Sequence, residues 1–211
     1  MDTARSRFAA ALGPYGHHLR QVPVIFPVLG LAALVIQLNP SWRDGLIYER
    51  GAVAAGEWWR LWTGHLVHFG WPHFLADTGL LLLLGWAFGA KHPWASRLGF
   101  LLMPPFIAAA IYWFDPAMGR YGGLSAIDLG LLLLFAVQNW ERRWTDWFWP
   151  AVVAIYVGEV ILEVAHGGQG GGMIGFDDPT IRVATSAHLA AAGYALGAWM
   201  IGRVSRKPSS L

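Results

Sequence analysis

Three short stretches of the chain hold residues whose types and spacing could do chemistry. They are "HFGWPHFLAD" (His68–Asp77), "GGLSAID" (Gly122–Asp128) and "SAHLAAAG" (Ser186–Gly193). A serine and a histidine make a nucleophile–base pair, in which the imidazole takes the hydroxyl proton and returns it to the leaving group. Ser125 and His188 are the candidates for that pair. Acyl transfer also needs donors aimed at the developing oxyanion. His73 and Asp77, four apart, share one helix face and are the candidates for that side, with His68 in support. The backbone N–H of Ser125, at a helix start, adds another donor. Gly123 and its neighbour Gly122 would let a substrate approach the backbone closely. Asp128, one turn past Ser125, is an accessory candidate that could orient His188 or pair with another histidine. Taken singly, Ser125 reads as a helix cap and His188 as a bridge between helices. "GLSAI" lacks the second glycine of a soluble nucleophile elbow and follows no strand pattern, which argues against an α/β-hydrolase.

The elements that must position these residues are membrane helices. Only 13% of the 211 residues are charged and 55% are hydrophobic, against about 25% charged in a soluble domain. Six apolar segments approach the roughly 20 residues a spanning helix needs: Val22–Leu38, Pro72–Ala90, Leu98–Phe114, Gly123–Asn139, Phe148–Ala165 and Val183–Gly202. They predict an all-α polytopic domain over 22–202, between a tail at 1–21 and a basic tail at 203–211. The first segment reads as a permanent anchor, because "VIQLNPSW" offers no small-residue cleavage site. Pro104 and Pro105 are expected to kink the third span.

Lysine and arginine set the orientation. Arg5, Arg7 and Arg20 precede the first span, Lys91 and Arg97 flank the second connection, Arg142 and Arg143 the fourth, and Arg203, Arg206 and Lys207 follow the last. On the other side Arg43, Arg50, Arg60, Arg120 and Arg182 are spread along longer, partly acidic stretches. Both termini are therefore expected in the cytoplasm. Spans two, four and six then run from outside to inside, so Asp77, Ser125 and His188 meet at one depth below the outer face. That coincidence favours chemistry over capping. Thirteen tryptophans fit interfacial belts, with Trp58, Trp59, Trp62 and Trp71 outside and Trp140, Trp144, Trp147 and Trp149 inside. Gly85-x-x-x-Gly89 and Gly193-x-x-x-Gly197 are candidates for close helix approach. The absence of cysteine excludes disulfides and thiolate chemistry. The small excess of basic residues speaks to topology and not to nucleic acid.

At this point the stretches resemble a known family. "EWWRLWTGHLVHFGWPHFLADTGLLLLLGW" resembles the second helix of the rhomboid intramembrane serine proteases, with His68, His73 and Asp77 at the spacing of that family's His, His and Asn. "GGLSA" resembles its Gly-x-Ser-Gly nucleophile motif and "SAHLAAAG" its Ala-His motif. The "EWWRLWTGH" entry, the short first loop and "GEVILEVAHGGQ" look most like the rhombosortase branch. The resemblance implies a six-helix bundle, a Ser125–His188 dyad and an oxyanion site at His73, Asp77 and the Ser125 amide, with no cofactor or metal. It further implies single-span membrane protein substrates cut near the outer face of a bacterial inner membrane. The rhombosortase branch adds trimming of C-termini that carry Gly-Gly, an apolar helix and a basic tail. Three positions depart from the pattern: Ala126 and Ala191 stand where glycines are expected, and Asp77 replaces asparagine. An ionised carboxylate cannot donate, so Asp77 would have to be protonated to serve an oxyanion.

Glu159, Glu163 and His166 share a face of the fifth span. Together with His65, His68, His73 and Asp77 they suggest a rival, a metal-dependent membrane hydrolase or oxidase. The preferred reading places Glu163 and His166 near the wet outer interface as a cap on the bundle. "HGGQGGGMIGFDDP" reads as an outer loop. A second rival is an inactive rhomboid-like protein that binds membrane helices.

Overall fold

A computed structural model describes residues 22–89, 91, 93–140, 143, 146–165 and 184–204. Residues 1–21 and 205–211, Arg142, Trp144, and the glycine-rich stretch 166–183 with His166 and Arg182 lie outside the described residues. Among those described, six helices have 14 or more residues: α1 (Ile25–Leu38), α2 (Trp71–Leu84), α3 (Pro93–Phe114), α4 (Ser125–Asn139), α5 (Phe148–Ala165) and α6 (Thr185–Val204). Their bounds fall close to the six predicted segments.

Two of them are long and apolar enough to cross a bilayer, α3 over Arg97–Phe114 and α5 over its whole length. α4 is a shorter apolar helix, and α1 passes the same test only with Pro40–Leu46, from which it is bent by 101°. The break has a local cause. Asn39 returns its Nδ2 to the Val35 carbonyl at 2.6 Å, and Pro40 disfavours helical geometry at the residue before it. Large apolar side chains cover the outside, among them Leu31, Leu75, Leu101, Phe106, Trp113, Ile155, Ile161 and Ile201. A surface of this kind belongs in lipid.

α4 is the central helix. Ala126, Ile127, Asp128, Gly130, Leu131, Leu133, Leu134, Phe135 and Ala136 are all buried, and a helix apolar on nearly every side belongs in the middle of a bundle. α6 lies against it on a seam of Ala184, Ala187, Ala191 and Ala195. A Cβ on Gly130 would stand 3.1 Å from Ala191 Cβ and 2.6 Å from Met103 Sδ. The small residue that allows this approach is therefore on α4, which accommodates the alanine at 191. Gly193 and Gly197, expected to mediate packing, face open space, whereas a Cβ on Gly85 would run into Phe26 at 2.5 Å. α5 differs from the rest. Only Tyr156, Val160 and Glu163 of it are buried, a single stripe one helical turn apart.

The proline pair does not end α3, which continues through both residues. Pro105 has no N–H for the Leu101 carbonyl, the helical partner four residues earlier. The Trp62 indole N–H takes that carbonyl instead, at 3.0 Å.

Between α1 and α2 the chain folds into short turns at Arg43–Leu46, Arg50–Ala54, Arg60–Thr63 and Gly64–Leu66. Buried Arg60 knits them together, bonding Glu57 and the carbonyls of Asp44 and Ile47, each at 2.7 Å. A two-residue antiparallel ladder, β1 (Tyr48–Glu49) with β2 (Arg120–Tyr121), pairs Tyr48 with Tyr121 and Glu49 with Arg120. Asp44 also pairs with Arg120. This ladder anchors the chain four residues before Ser125, and nothing in the apolar pattern announces it.

Candidate active site

Ser125 opens α4 and is partly exposed, while its neighbours from Tyr121 to Leu124 are buried. Gly123 makes the approach possible. Its φ is +115°, a conformation that side-chain-bearing residues rarely adopt, and a Cβ there would meet His73 Nε2 at 2.7 Å and Asp77 Oδ2 at 3.1 Å. The glycine thus makes room for the protein's own side chains. The turn presents two successive amides, Leu124 N–H and Ser125 N–H, to Asp77 Oδ2 at 2.9 and 3.0 Å. His73 Nε2 reaches the same oxygen at 3.0 Å, and His68 Nε2 lies 3.3 Å from it, off the line of a good hydrogen bond.

Asp77 is therefore an acceptor in this structure, the arrangement of an ionised residue that orients His73 and not of a protonated donor. The Phe69 N–H points at His73 Nδ1 at 3.4 Å, which leaves the His73 proton on Nε2 to donate to Asp77. His68 Nδ1 stands 3.2 Å from the Leu66 carbonyl. The imidazole edges also pack on one another, with His68 and His73 centroids 5.0 Å apart.

On the other side of Ser125, His188 Nε2 lies 3.3 Å from the serine Oγ. His188 Nδ1 lies 2.8 Å from Glu163, at both Oε1 and Oε2. Glu163 is 3% exposed and His188 4%. The reading of Glu163 as a wet cap on the bundle is thus corrected: it is a buried partner of His188. The Tyr156 hydroxyl, two turns earlier on the α5 stripe, donates to the His188 backbone carbonyl at 2.6 Å. At the start of α6, the Ser186 hydroxyl donates to Asp115 Oδ2 at 2.8 Å.

Asp128 is fully buried, and neither carboxyl oxygen finds a hydrogen-bond partner among the described residues. It reaches neither His188 nor another histidine among the described residues. His65 stands apart from the site and braces it. Its Nε2 meets the Pro104 carbonyl at 3.2 Å and its Nδ1 faces the Tyr121 hydroxyl at 3.4 Å. That hydroxyl also reaches the Gly123 carbonyl at 3.3 Å. Burial pushes the His65 imidazole down to about 4, so the ring is neutral near pH 7 and carries its proton on Nε2 for Pro104. Burial, with the charges of Asp77 and Asp128 behind it, pushes the Tyr121 phenol well up, so Tyr121 remains a donor.

No group of three or more His, Asp or Glu among the described residues is arranged to hold a metal ion. Glu163, which the metal reading needs beside the helix-two histidines, is turned to His188 instead.

Buried helices that expose apolar faces and enclose a serine, two carboxylates and three histidines define a membrane protein with a polar site in its interior. A family model of the rhomboid domain matches residues 55–206, and the chain belongs to the rhomboid family. Members of that family are generally serine proteases that act on membrane proteins within the bilayer. A search of curated proteins found no match to this chain.

Proposed function

We propose that the chain is an intramembrane serine protease in which Ser125 is the nucleophile and His188 the general base. The observation that carries this is the 3.3 Å approach of His188 Nε2 to Ser125 Oγ from helices 63 residues apart in sequence. In the first half-reaction the Ser125 Oγ–H proton passes to Nε2 as Oγ bonds the scissile carbonyl carbon. The same proton then goes to the leaving amine as the C–N bond breaks, leaving an acyl-Ser125 ester. Water, deprotonated by His188, attacks that ester and restores the hydroxyl.

The groups suited to stabilise the oxyanion are the amides of Leu124 and Ser125 and His73 Nε2. All three are engaged by Asp77 Oδ2 in this structure, so a substrate must displace that carboxylate to use them. This engagement is also the one observation that favours the rival reading, an inactive binder of membrane helices.

Six spans with both ends in the cytoplasm would put the site just below the outer face. The proposed substrate is a single-span protein cut where its helix can unwind, since a helix hides its carbonyls in internal hydrogen bonds. Proteins with a C-terminal Gly-Gly, an apolar helix and a basic tail suit such a site, because small residues unwind easily. The setting would be a bacterial inner membrane. Cleavage of such a substrate by wild type, Ser125→Ala, His188→Ala and the double variant tests the dyad. Residues acting as a unit lose activity non-additively, so each single variant is expected to be as inactive as the double. Substantial cleavage by Ser125→Ala would end the reading.

A further inference from the structure

We infer that Glu163 is the positioning residue of His188, so that the site works as a Ser125–His188–Glu163 triad; this rests on the serine reading above. Three observations carry the inference. Both carboxylate oxygens of Glu163 stand 2.8 Å from His188 Nδ1. With a proton on Nδ1 donated to Glu163, the lone pair is left on Nε2, the nitrogen that faces Ser125 Oγ. A histidine base needs that tautomer, and a ring nitrogen's role is set by the bond the other one makes.

The second observation is burial. Glu163 is 3% exposed on a helix long and apolar enough to cross a bilayer. A carboxylate in such a place is costly unless it is paired, and the partner the structure gives it is the imidazole. The third is the shape of the contact made by α5, whose buried stripe ends in two polar grips on one residue. Tyr156 holds the His188 backbone carbonyl at 2.6 Å and Glu163 holds its ring. Position and orientation of the base are thus both set from α5. In the reaction the Nδ1 proton stays on the ring, and the carboxylate stabilises the imidazolium formed when Nε2 takes the serine proton. Glu163 itself does not exchange a proton.

The test uses the full-length protein in detergent or proteoliposomes, with a fluorophosphonate probe and a cleavable single-span substrate. Glu163→Gln is expected to lower kcat by up to about 10⁴, the cost to a triad of losing its orienting carboxylate, with KM changed much less. Probe labelling should slow in parallel. Glu163→Asp should recover part of kcat. A low-field His188 Nδ1 proton resonance should be present in wild type and absent in Glu163→Gln, a readout of the hydrogen bond that does not depend on turnover. A Glu163→Gln variant with wild-type kcat, or a wild type without that resonance, overturns the inference. If Glu163→Gln does not fold, equal kcat in Glu163→Asp and wild type overturns it as well. The two levels separate cleanly. Wild-type labelling lost in Ser125→Ala but unchanged in Glu163→Gln removes the Glu163 role alone. No labelling of wild type removes the serine reading and the triad with it.

Discussion

The two sides of Ser125 are built in different ways. On the amide side, one oxygen of Asp77 gathers two backbone N–H groups and His73, with His68 close by, and the whole assembly is buried. A positive-φ glycine, a two-residue ladder and the His65–Tyr121–Gly123 contacts brace it from the chain before α4. On the base side, His188 is held by two contacts from α5, a helix that buries only one stripe of side chains. The first side is over-determined, so losing one contact leaves several. The second has little redundancy, so each polar contact there should count in catalysis more than in folding.

Outside the dyad and Glu163, the largest effect should come from breaking the amide side at its hinge. Gly123→Ala places a Cβ in the space of His73 Nε2 at a φ alanine disfavours. It should destabilise the protein by more than about 1 kcal/mol and lower the cleavage rate by about 10²–10³, the usual cost of a lost oxyanion donor. Thermal unfolding and turnover read on the same sample check both. Wild-type turnover in Gly123→Ala would show that the amide geometry is not used.

Asp77→Asn sharpens the same side. It removes the charge that occupies the Ser125 amide and offers an N–H donor in its place. Turnover is expected to rise by about tenfold, equivalent to about 1.4 kcal/mol, while Asp77→Ala, which leaves the histidines without a brace, should fall below wild type. A loss of activity in Asp77→Asn would instead mean that the carboxylate is needed to orient His73.

On the base side, Tyr156→Phe deletes one hydrogen bond to the His188 carbonyl. Such a bond contributes about 0.5–1.5 kcal/mol to stability, so the unfolding temperature should fall by only a few degrees, while the displaced base should lower kcat several-fold. An equal loss in stability and no loss in kcat would contradict the contrast drawn between the sides.

The effect farthest from catalysis concerns His65. Its imidazole is held down to about 4 in the folded protein against 6.5 when unfolded. The folded state therefore binds fewer protons, and the stability this contributes is complete above about pH 6.5 and lost as pH falls through 4. Chemical denaturation between pH 7 and 4 should show a shallower decline for His65→Gln than for wild type. Parallel slopes would remove His65 from the bracing role.

Much of this arrangement was legible in the sequence, for identifiable reasons. Ser125 and His188 could be paired because span direction, read from arginine and lysine, brought their helix starts to one depth. The helix bounds followed from apolar length. Glu163 was misplaced because α5 carries two glutamates on an otherwise apolar helix, and that pattern does not say whether their face meets the bundle or the wet interface. Packing against α4 and α6 decides that, and packing is not periodic information. The acceptor role of Asp77 depended on two amides turned by Gly123, a backbone conformation that residue type allows without requiring. Gly193 and Gly197 showed the right spacing yet face open space, while Gly130, alone in its helix, makes the close contact. The ladder of β1 and β2 was too short to leave a pattern.

Covalent labelling of Ser125 tests the central claim most directly. Purified full-length protein would be treated with a fluorophosphonate and the modified peptide mapped by mass spectrometry, alongside Ser125→Ala and His188→Ala. The account predicts one adduct on wild type, carried by Ser125, none on Ser125→Ala, and a labelling rate on His188→Ala reduced to the level of an unactivated hydroxyl. An adduct elsewhere, or labelling of His188→Ala at the wild-type rate, would contradict it.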